Sequence, residues 1–273
     1  MKIGIIGYGN MGSAIARQLK NNYEVLVFDK DKARLGSADG IAATASIAEL
    51  VEKSGIVILA VKPQDFSDAL AAIKAVAKNK LFISIAAGIS ATYIEDALGQ
   101  ARVIRTMPNM PAKIGESMTC LAQGRFATLD DLDTAENLFE YMGEVLVIEE
   151  NMMNQATAIS GSGPAYVCNF LESQGLGPEN VPDDKKAYFL DIFQKAAREL
   201  GFSEHDARLL TKATFNGTLS FLKREKISPA ELREQVTSKG GTTEAALVTL
   251  NKGGSLVDAV KAAAKRAEEL SRG

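Results

Sequence analysis

The stretch from residue 2 to residue 12, KIGIIGYGNMG, constrains the fold of this chain more than any other. An apolar run leads into glycines spaced Gly7-x-Gly9-x-x-Gly12, and an amphipathic segment follows at 13–20. Glycines at these positions, between a strand and a helix, are typical of a turn that aims backbone N–H groups and a helix N-terminus at one point. Because such a point attracts an anionic pyrophosphate, the sequence predicts a dinucleotide site made by Gly7, Tyr8, Gly9, Asn10, Met11 and Gly12.

A second predicted strand, at 24–28, ends at an acidic residue that bears on the choice of dinucleotide. Asp29 lies close to the offset of about 20 residues at which a carboxylate holds the ribose hydroxyls, which favours NAD. The charged turn that follows offers cations for the 2′-phosphate of NADP instead, namely Lys30, Lys32 and Arg34. These residues conflict, so both NADPH and NADH remain open as cofactors.

Composition excludes several classes of protein. A length of 273 residues suggests two domains, and a net charge of -3 argues against a nucleic-acid partner. No apolar run approaches the ~18 residues of a membrane span, and we expect no signal peptide because residues 1–7 lead directly into a predicted strand. Cys120 and Cys168 lack CxxC spacing, so we expect buried thiols, a reducing, cytoplasmic compartment and no metal site. His205 is the single histidine.

Apolar runs alternate with helical segments through the first half of the chain. Buried strands are predicted at 55–61, 81–86 and 102–106, helices at 65–78 and 91–98, and two further strands at 115–123 and 144–148. The alternation predicts an α/β fold in which residues 1–150 form a dinucleotide-binding domain with a Rossmann-type doubly wound parallel sheet. Ligands of such sheets bind beyond the carboxyl ends of the strands, where the sequence has Ala60, Val61, Lys62, Pro63, Ala86, Ala87 and Asn109.

From residue 151 onwards the sequence predicts helices only, and we expect an all-helical domain at 151–273. One helix should stop before Gly163, and the next should begin with Pro164 in its first turn. Ser203, Ser228 and Ser255 each precede a further helix, with an acidic residue three positions later. The apolar residues of these helices exceed what one small domain can cover, so we expect this domain to pair with a second copy of the chain.

The stretch 236–244, VTSKGGTTE, is the most suggestive chemically in the second half. A Gly-Gly turn opens a helix there and is flanked by hydroxyl side chains. An ordinary cap by Thr242 explains the segment if it is taken alone. The alternative is a carboxylate site that uses free N–H groups from Gly241 to Thr243, the helix dipole, and hydroxyl donors from Ser238 and Thr243.

Six motifs together resemble the pyrroline-5-carboxylate reductase family and occur in the family's order: GYGNMGSA at 7–14, AVKP at 60–63, SIAAG at 84–88, RTMPNMP at 105–111, SGSGPAY at 160–166 and TSKGGTT at 237–243. The resemblance covers nearly the whole chain. It implies NAD(P)H-dependent reduction of 1-pyrroline-5-carboxylate to L-proline, the last step of proline biosynthesis, by a homodimer. By the same resemblance the cofactor contacts 8–12, 60–63 and 86–87, and the substrate carboxylate and ring nitrogen are held by Ser238, Gly240, Gly241, Thr242 and Thr243.

Two features depart from the family's pattern. Lys239 stands where the family usually carries proline, which either loosens the turn or offers a cation to the carboxylate. Residues 173–191 look inserted into a helix that is continuous in the family and belongs to its dimer core. Four residues must break that helix here: Gly175, Gly177, Pro178 and Pro182. The insertion therefore bears on dimer geometry, unless it is a surface excursion that leaves the packing intact.

An imine substrate suits a chain with a single histidine. Protonated pyrroline-5-carboxylate is already an electrophile, so the protein has only to orient it and to support its nitrogen through a hydroxyl. We assign Thr243 as the hydrogen-bonding partner of that nitrogen. Two alternatives stay open: a β-hydroxyacid dehydrogenase-like enzyme with Lys212 as its acid–base group, and a dimer that binds a dinucleotide without chemistry.

Overall fold

The computed structural model describes residues 1–36, 38 and 40–272. The chain divides into two compact units. The first unit comprises Met1–Met107 and Cys120–Glu150, and the second comprises Pro108–Thr119 and Asn151–Gly273. Within the described residues, no helix combines the length and the apolar character needed to cross a membrane.

A sheet of eight strands, counted over the described residues, forms the first unit's core in the order β3-β2-β1-β4-β5-β6-β7-β8. The neighbouring strands from β3 to β6 pair in parallel, and β7 runs antiparallel to β6. The predicted Rossmann-type sheet is confirmed, with an antiparallel extension at one edge. The strands are β1 (Lys2–Ile6), β2 (Glu24–Phe28), β3 (Ala42–Ala43), β4 (Ile56–Leu59), β5 (Leu81–Ser84), β6 (Arg102–Met107), β7 (Ser117–Gln123) and β8 (Gly143–Val147).

The central strands are buried because the crossover helices of a parallel sheet cover its faces. All four residues of β4 and of β5 are buried. Leu50, Phe66 and Ile94, from three different helices, join Val57 and Phe82 of these strands in one apolar cluster. The helices of this unit are α1 (Asn10–Leu19), α2 (Lys32–Leu35), α3 (Ile47–Lys53), α4 (Phe66–Ile73), α5 (Ala91–Leu98) and α6 (Leu129–Glu140).

The second unit is helical, as the sequence predicted. Its capping serines behave as expected, since Ser203 accepts the N–H of Asp206 and Ser228 accepts that of Glu231. A π-helical turn, Thr157–Gly161, interrupts the segment that was predicted as an ordinary helix. The α-helices are α7 (Met153–Ala156), α8 (Gly163–Ser173), α9 (Asp183–Glu199), α10 (Glu204–Glu225), α11 (Pro229–Val236), α12 (Thr242–Asn251) and α13 (Leu256–Arg272).

The predicted break after residue 173 is confirmed, because α8 ends at Ser173 and α9 begins at Asp183. The chain turns back, and the rings of Phe170 and Phe189 lie 4.7 Å apart between their centroids. Phe189 is buried and also contacts Phe193 and Phe215. Part of the segment 173–191 is therefore core of the second unit and more than a surface excursion.

Residues 108–119 group with the second unit, although they lie within the stretch that the sequence assigned to the first domain. The Asn109 side-chain amide donates to the Ser160 carbonyl at 3.2 Å, and the Arg224 guanidinium donates to the Ile114 carbonyl at 3.1 Å. A Cβ at Gly217 would lie 2.2 Å from the Glu116 carbonyl oxygen, so α10 approaches this segment's backbone closely. These contacts join residues far apart in sequence, which explains why local pattern did not indicate them.

Candidate functional site

The loop between β1 and α1 has the close backbone approaches that its glycines predicted. Gly7 has a φ of +100°, and a Cβ there would lie 2.5 Å from the Ala60 carbonyl oxygen. A Cβ at Gly12 would lie 2.0 Å from the Gly7 carbonyl oxygen. At Gly9, by contrast, the nearest atom to a Cβ is the Arg34 Nη1 at 3.7 Å. Gly7 and Gly12 thus allow neighbouring backbone segments to pack closely, whereas Gly9 leaves open space at its position.

The N-terminus of α1 suits an anion. Gly9 occupies the N-cap position without a side-chain cap, and the first turn contains no acidic residue. The leading N–H groups of a helix have no acceptor within that helix, and the helix dipole places partial positive charge beside them. A pyrophosphate fits these donors and the space at Gly9, so the residues present fit a dinucleotide.

A cavity of about 770 Å³ opens at this loop. Its size falls within the range of about 300–1,000 Å³ that is usual for cofactor and ligand pockets. It lies at the carboxyl ends of β1, β2 and β4, where ligands of doubly wound sheets bind. Eight of the residues predicted to contact the cofactor line it: Gly7, Gly9, Asn10, Met11, Asp29, Ala60, Val61 and Lys62.

Asp29 is held within the loop. Its carboxylate accepts the Tyr8 N–H at 2.7 Å and the Asp31 N–H at 2.8 Å, and the side chain is almost fully buried. Arg34 approaches the same carboxylate at 3.6 Å and also lines the cavity, as does Lys30. Lys30 forms an ion pair with Asp65 at 2.6 Å. The rim of the cavity therefore carries two cations, Lys30 and Arg34, that could bind a 2′-phosphate. They lie beside the Asp29 carboxylate, which already accepts backbone N–H groups.

Six of the predicted cofactor residues do not line this cavity. Tyr8 contributes its N–H to Asp29, and Gly12 packs behind the loop. Asn109 lies in the second unit, where its buried side-chain oxygen accepts from Ser117 and Met118. The amide of Asn109 is therefore committed to the protein's own interior. The remaining three are Pro63, Ala86 and Ala87.

The second unit contains the predicted Gly-Gly turn between α11 and α12. Gly240 has a φ of +71°, which favours glycine. A Cβ at Gly241 would lie 2.2 Å from the Ser238 Oγ. Both glycines are therefore required by the turn itself, and the turn delivers the chain to the N-terminus of α12.

The predicted set of free N–H groups at this turn is partly wrong. The Gly241 N–H donates to the Ser238 carbonyl at 2.9 Å, and the Gly240 N–H donates to the Glu244 carboxylate at 2.7 Å. The turn closes on itself in this way, so the leading donors of α12 begin at Thr242. Ser238 and Lys239 are exposed, and the ligand contacts predicted for Ser238 remain untested.

Buried hydroxyls meet at the start of α12. Thr243 is 4% exposed, and its hydroxyl donates to the Ser162 Oγ at 3.1 Å. The Ser162 Oγ is also 2.9 Å from the Thr242 Oγ1. Ser162 was not predicted as a site residue, although the motif that contains it was noted. It lies 80 residues before Thr242, and no local signal indicates that pairing.

The residues that could serve as acid–base groups in other reactions are not among the hydrogen-bond partners of Thr243 in the described structure. His205 is exposed near the start of α10, and Lys212, the residue required by the hydroxyacid alternative, is also exposed. Within the described residues, no cluster of His, Cys, Asp and Glu could hold a metal ion.

Family models match both ends of the chain. Residues 186–270 match the model described as pyrroline-5-carboxylate reductase dimerisation. Residues 2–88 match the model described as NADP oxidoreductase, coenzyme F420-dependent. The first match begins within the segment 173–191 and covers most of the helical unit.

Similarity to known proteins extends over the full length. A pyrroline-5-carboxylate reductase of Synechocystis is 32% identical over 100% of this chain and 99% of its own. That of Arabidopsis thaliana is 34% identical over 99% and 96%, respectively. The solved structure of the Coxiella burnetii reductase is 30% identical, with a TM-score of 0.65 over 98% of both chains. The Plasmodium falciparum enzyme, solved with NADP bound, is 26% identical with a TM-score of 0.64 over 99% and 98%. This chain belongs to the pyrroline-5-carboxylate reductase family.

Proposed function

We propose that this chain reduces 1-pyrroline-5-carboxylate to L-proline with NADPH or NADH, as the last step of proline biosynthesis. The observation that carries the proposal is the buried hydroxyl of Thr243, held at a helix N-terminus in a chain of this family. That arrangement offers one hydroxyl and several backbone donors, and it has no histidine or lysine among the groups bonded to Thr243 in the described structure. These groups are sufficient to orient a protonated imine for reduction, since such an imine is already an electrophile.

We infer that the first unit binds the dinucleotide through the loop and the strand ends around its cavity. The backbone N–H groups of Gly9 and Met11, at the N-terminus of α1, would hold the pyrophosphate, whereas the Gly7 N–H already donates to the Phe28 carbonyl at 2.7 Å. A reduced nicotinamide, when bound, supplies the hydride for such a reduction. Contacts by Tyr8, Gly12, Pro63, Ala86 and Ala87 remain part of the proposal, whereas the committed amide of Asn109 favours a structural role for that residue.

We infer that the second unit binds the substrate. The carboxylate would lie at the N–H groups of Thr242 and Thr243, where the dipole of α12 attracts an anion. Gly240 and Gly241 would act by shaping the turn, since their own N–H groups are occupied, and Ser238 would add a hydroxyl from the exposed side. Thr243 would hold the ring nitrogen, and orientation of this kind can lower a barrier by roughly 7–11 kcal/mol in the best cases.

The proposal extends to organisation and location. Residues 1–150, apart from the segment 108–119 that groups with the second unit, would serve as the dinucleotide-binding domain, and residues 151–273 as the domain for dimerisation and substrate binding. The dimerisation model's match at 186–270 supports self-association as a homodimer. Cys120 and Cys168, both within the described residues, form no disulfide, which fits a reducing cytoplasm.

The direct test follows the absorbance of NADPH and of NADH with pyrroline-5-carboxylate as the second substrate. We expect oxidation of the cofactor that depends on the imine. Oxidation of a hydroxyacid with NAD or NADP, abolished by Lys212→Ala, would favour the hydroxyacid alternative. Cofactor binding with turnover of neither substrate would contradict the proposed reaction and favour a non-catalytic dimer.

A further inference from the structure

An ion pair joins two sides of the cavity in the first unit. Lys30 follows β2, Asp65 ends the short helical turn after β4, and both residues line the cavity. The Lys30 Nζ donates to the Asp65 Oδ1 at 2.6 Å. Since β2 and β4 are the two neighbours of β1 in the sheet, the pair connects the segments that flank the loop after β1. It therefore lies beside the space that the proposed dinucleotide would occupy.

The carboxylate of Asp65 faces the lysine and does not cap its own helix. Asp65 occupies the N-cap position of α4, where an aspartate normally accepts an N–H group of the first helical turn. In the described structure its side chain forms no such bond. The side chain of Asp65 is 29% exposed, whereas that of Lys30 is 73% exposed. Lys30 is thus the member of the pair that a ligand can reach more easily.

The charged side chains that line the cavity balance one another. Arg34 lies 3.6 Å from Asp29, and Lys30 is bonded to Asp65. A phosphate monoester carries nearly two negative charges near neutral pH, so it gains less from cations that are already paired with acids. Among the described residues, the lining has three cations and three acids: Lys30, Arg34, Lys62, Asp29, Asp65 and Asp68.

The 2′ position of the adenosine ribose is recognised at the end of β2 in this class of fold. Asp29 stands there, and its carboxylate accepts two backbone N–H groups of the protein. Lys30 is the next residue, and its ammonium group could bind a 2′-phosphate if it were free. In the structure that ammonium group is bonded to Asp65. NADPH must therefore compete with Asp65 for Lys30, whereas NADH, which has no 2′-phosphate, does not.

We propose that Asp65 is a specificity-determining residue that lowers the preference for NADPH over NADH by engaging Lys30, which would otherwise bind the 2′-phosphate. The inference rests on the proposed function, in which this cavity binds the dinucleotide. An exposed ion pair contributes little stability, so a ligand can break it at a small cost. The consequence is a moderate shift in the ratio of the two affinities, which leaves both cofactors usable.

Asp65→Asn removes the charge and keeps the size of the side chain. The Kd values of NADPH and NADH are measured by fluorescence titration in the absence of the imine substrate. We expect the Kd of NADPH to fall about fivefold, because Lys30 is released to a charge-assisted contact, and that of NADH to change less than about twofold. The gain for NADPH should shrink as the ionic strength rises, since salt screens exposed charges.

Asp68→Asn is the matched control. Asp68 lies in the first turn of the same helix and lines the same cavity, but the partner of Lys30 is Asp65. The control should leave the ratio of the two Kd values nearly unchanged. An equal gain for NADPH in Asp68→Asn would show that any acid of the lining acts in the same way, and it would overturn the particular role of Asp65.

Lys30→Gln, alone and combined with Asp65→Asn, tests whether Asp65 acts through the lysine. If Asp65 engages Lys30, loss of the lysine should weaken NADPH binding little in the wild-type background. In the Asp65→Asn background the same change should weaken NADPH binding by at least about threefold more, which a double-mutant cycle measures. Equal losses in the two backgrounds would mean that the two charges act independently, and they would overturn the inference.

The outcomes separate this inference from the proposed function. Enzyme that binds both dinucleotides with the same ratio of Kd values in wild type and in Asp65→Asn would overturn the role of Asp65, and the proposed reduction would stand. Wild-type enzyme that binds neither dinucleotide would contradict the proposed function, and this inference with it.

Discussion

In the proposed reduction, the buried hydroxyl of Thr243 would act without a histidine as its hydrogen-bond partner. Its side chain is 4% exposed and is bonded to Ser162 rather than to a titratable group. A hydroxyl is a poor acid or base near neutral pH, so its contribution must come from orientation and hydrogen bonding. That limits the reactions it can support to those whose substrate is already activated, and a protonated imine is such a substrate.

Replacing Thr243 with valine keeps the shape of the side chain and removes the hydroxyl. We expect kcat/KM for pyrroline-5-carboxylate to fall about ten- to a hundredfold, the equivalent of about 1.5–3 kcal/mol for a hydrogen bond to a charged group. The Kd of NADPH, measured by fluorescence titration, should stay the same. Thr249→Val is the control, since the Thr249 hydroxyl lies on the same helix and donates to the Ala245 carbonyl. Equal activity of the two variants would exclude Thr243 from the mechanism.

Arg34 tests the choice of cofactor at the cavity rim. Asp29 already accepts two backbone N–H groups, and Arg34 lies 3.6 Å from it with nearly half of its side chain exposed. We expect Arg34→Ala to weaken NADPH binding about tenfold and to change NADH binding little, because a phosphate contact is charge-assisted. Arg17→Ala removes the same charge at the last turn of α1 and should change neither Kd. Equal weakening of both cofactors by Arg34→Ala would contradict a role at the 2′-phosphate.

The sequence predicted the backbone geometry of the glycines in the two candidate sites better than the hydrogen-bond partners within those sites. The glycines at 7, 9 and 12 follow a spacing that has a direct backbone meaning, and the structure has the expected close approaches. Ser162 was missed because its partner Thr242 is 80 residues away. The occupied N–H of Gly241 was missed because a turn's internal bonds depend on its φ angles and not on its composition.

At the scale of elements, the aromatic contact between α8 and α9 shows that the segment 173–191 contributes to the core of the second unit. The ring of Phe189 lies 4.7 Å from Phe170, 5.6 Å from Phe193 and 5.5 Å from Phe215, measured between centroids. These four rings come from three helices. The segment therefore adds apolar core to the second unit as it reverses the chain.

Truncation of Phe189 measures that contribution. We expect Phe189→Ala to lower the free energy of unfolding by about 3–5 kcal/mol, because it leaves a cavity among three rings. Tyr188→Ala is the neighbouring control, since Tyr188 is 63% exposed and should cost no more than about 0.5 kcal/mol. Denaturant titrations of both variants at one protein concentration provide the comparison. Similar losses in the two variants would show that the segment lies outside the core.

Helix and strand limits were predictable where local chemistry sets them. Ser203 and Ser228 both cap helices at the expected positions, and β2 has the predicted bounds. The two-residue strand β3 was not predicted, because it has too few residues to produce a pattern. The π-helical turn at Thr157–Gly161 was also missed. Its register depends on distant contacts, among them the bond from the Asn109 amide to the Ser160 carbonyl.

At the scale of the whole molecule, the alternation of strands and helices was sufficient to predict the fold class. It was insufficient to show that residues 108–119 group with the second unit, because that grouping depends on contacts with α10 and the π-helical turn, which are distant in sequence. The predicted pairing with a second copy has physical support in the second unit. Apolar side chains stay exposed on two helices of the region matched by the dimerisation model: Val248 and Leu270.

Self-association is measured directly by light scattering after size-exclusion chromatography. We expect active enzyme to elute with at least twice the 29.1 kDa mass of one chain. Val248→Glu, which adds charge to an exposed apolar position of α12, should shift the mass toward one chain if that helix faces the partner. Active wild-type enzyme with the mass of a single chain would contradict the homodimer.

The most direct test of the central claim is the stoichiometry of product to cofactor. Purified enzyme is supplied with pyrroline-5-carboxylate and a limiting amount of NADPH, and L-proline is quantified by chiral chromatography after the cofactor is exhausted. We expect one L-proline for each NADPH consumed, with no proline formed when the cofactor is left out. Consumption of NADPH without formation of L-proline, or no consumption at all, would contradict the account.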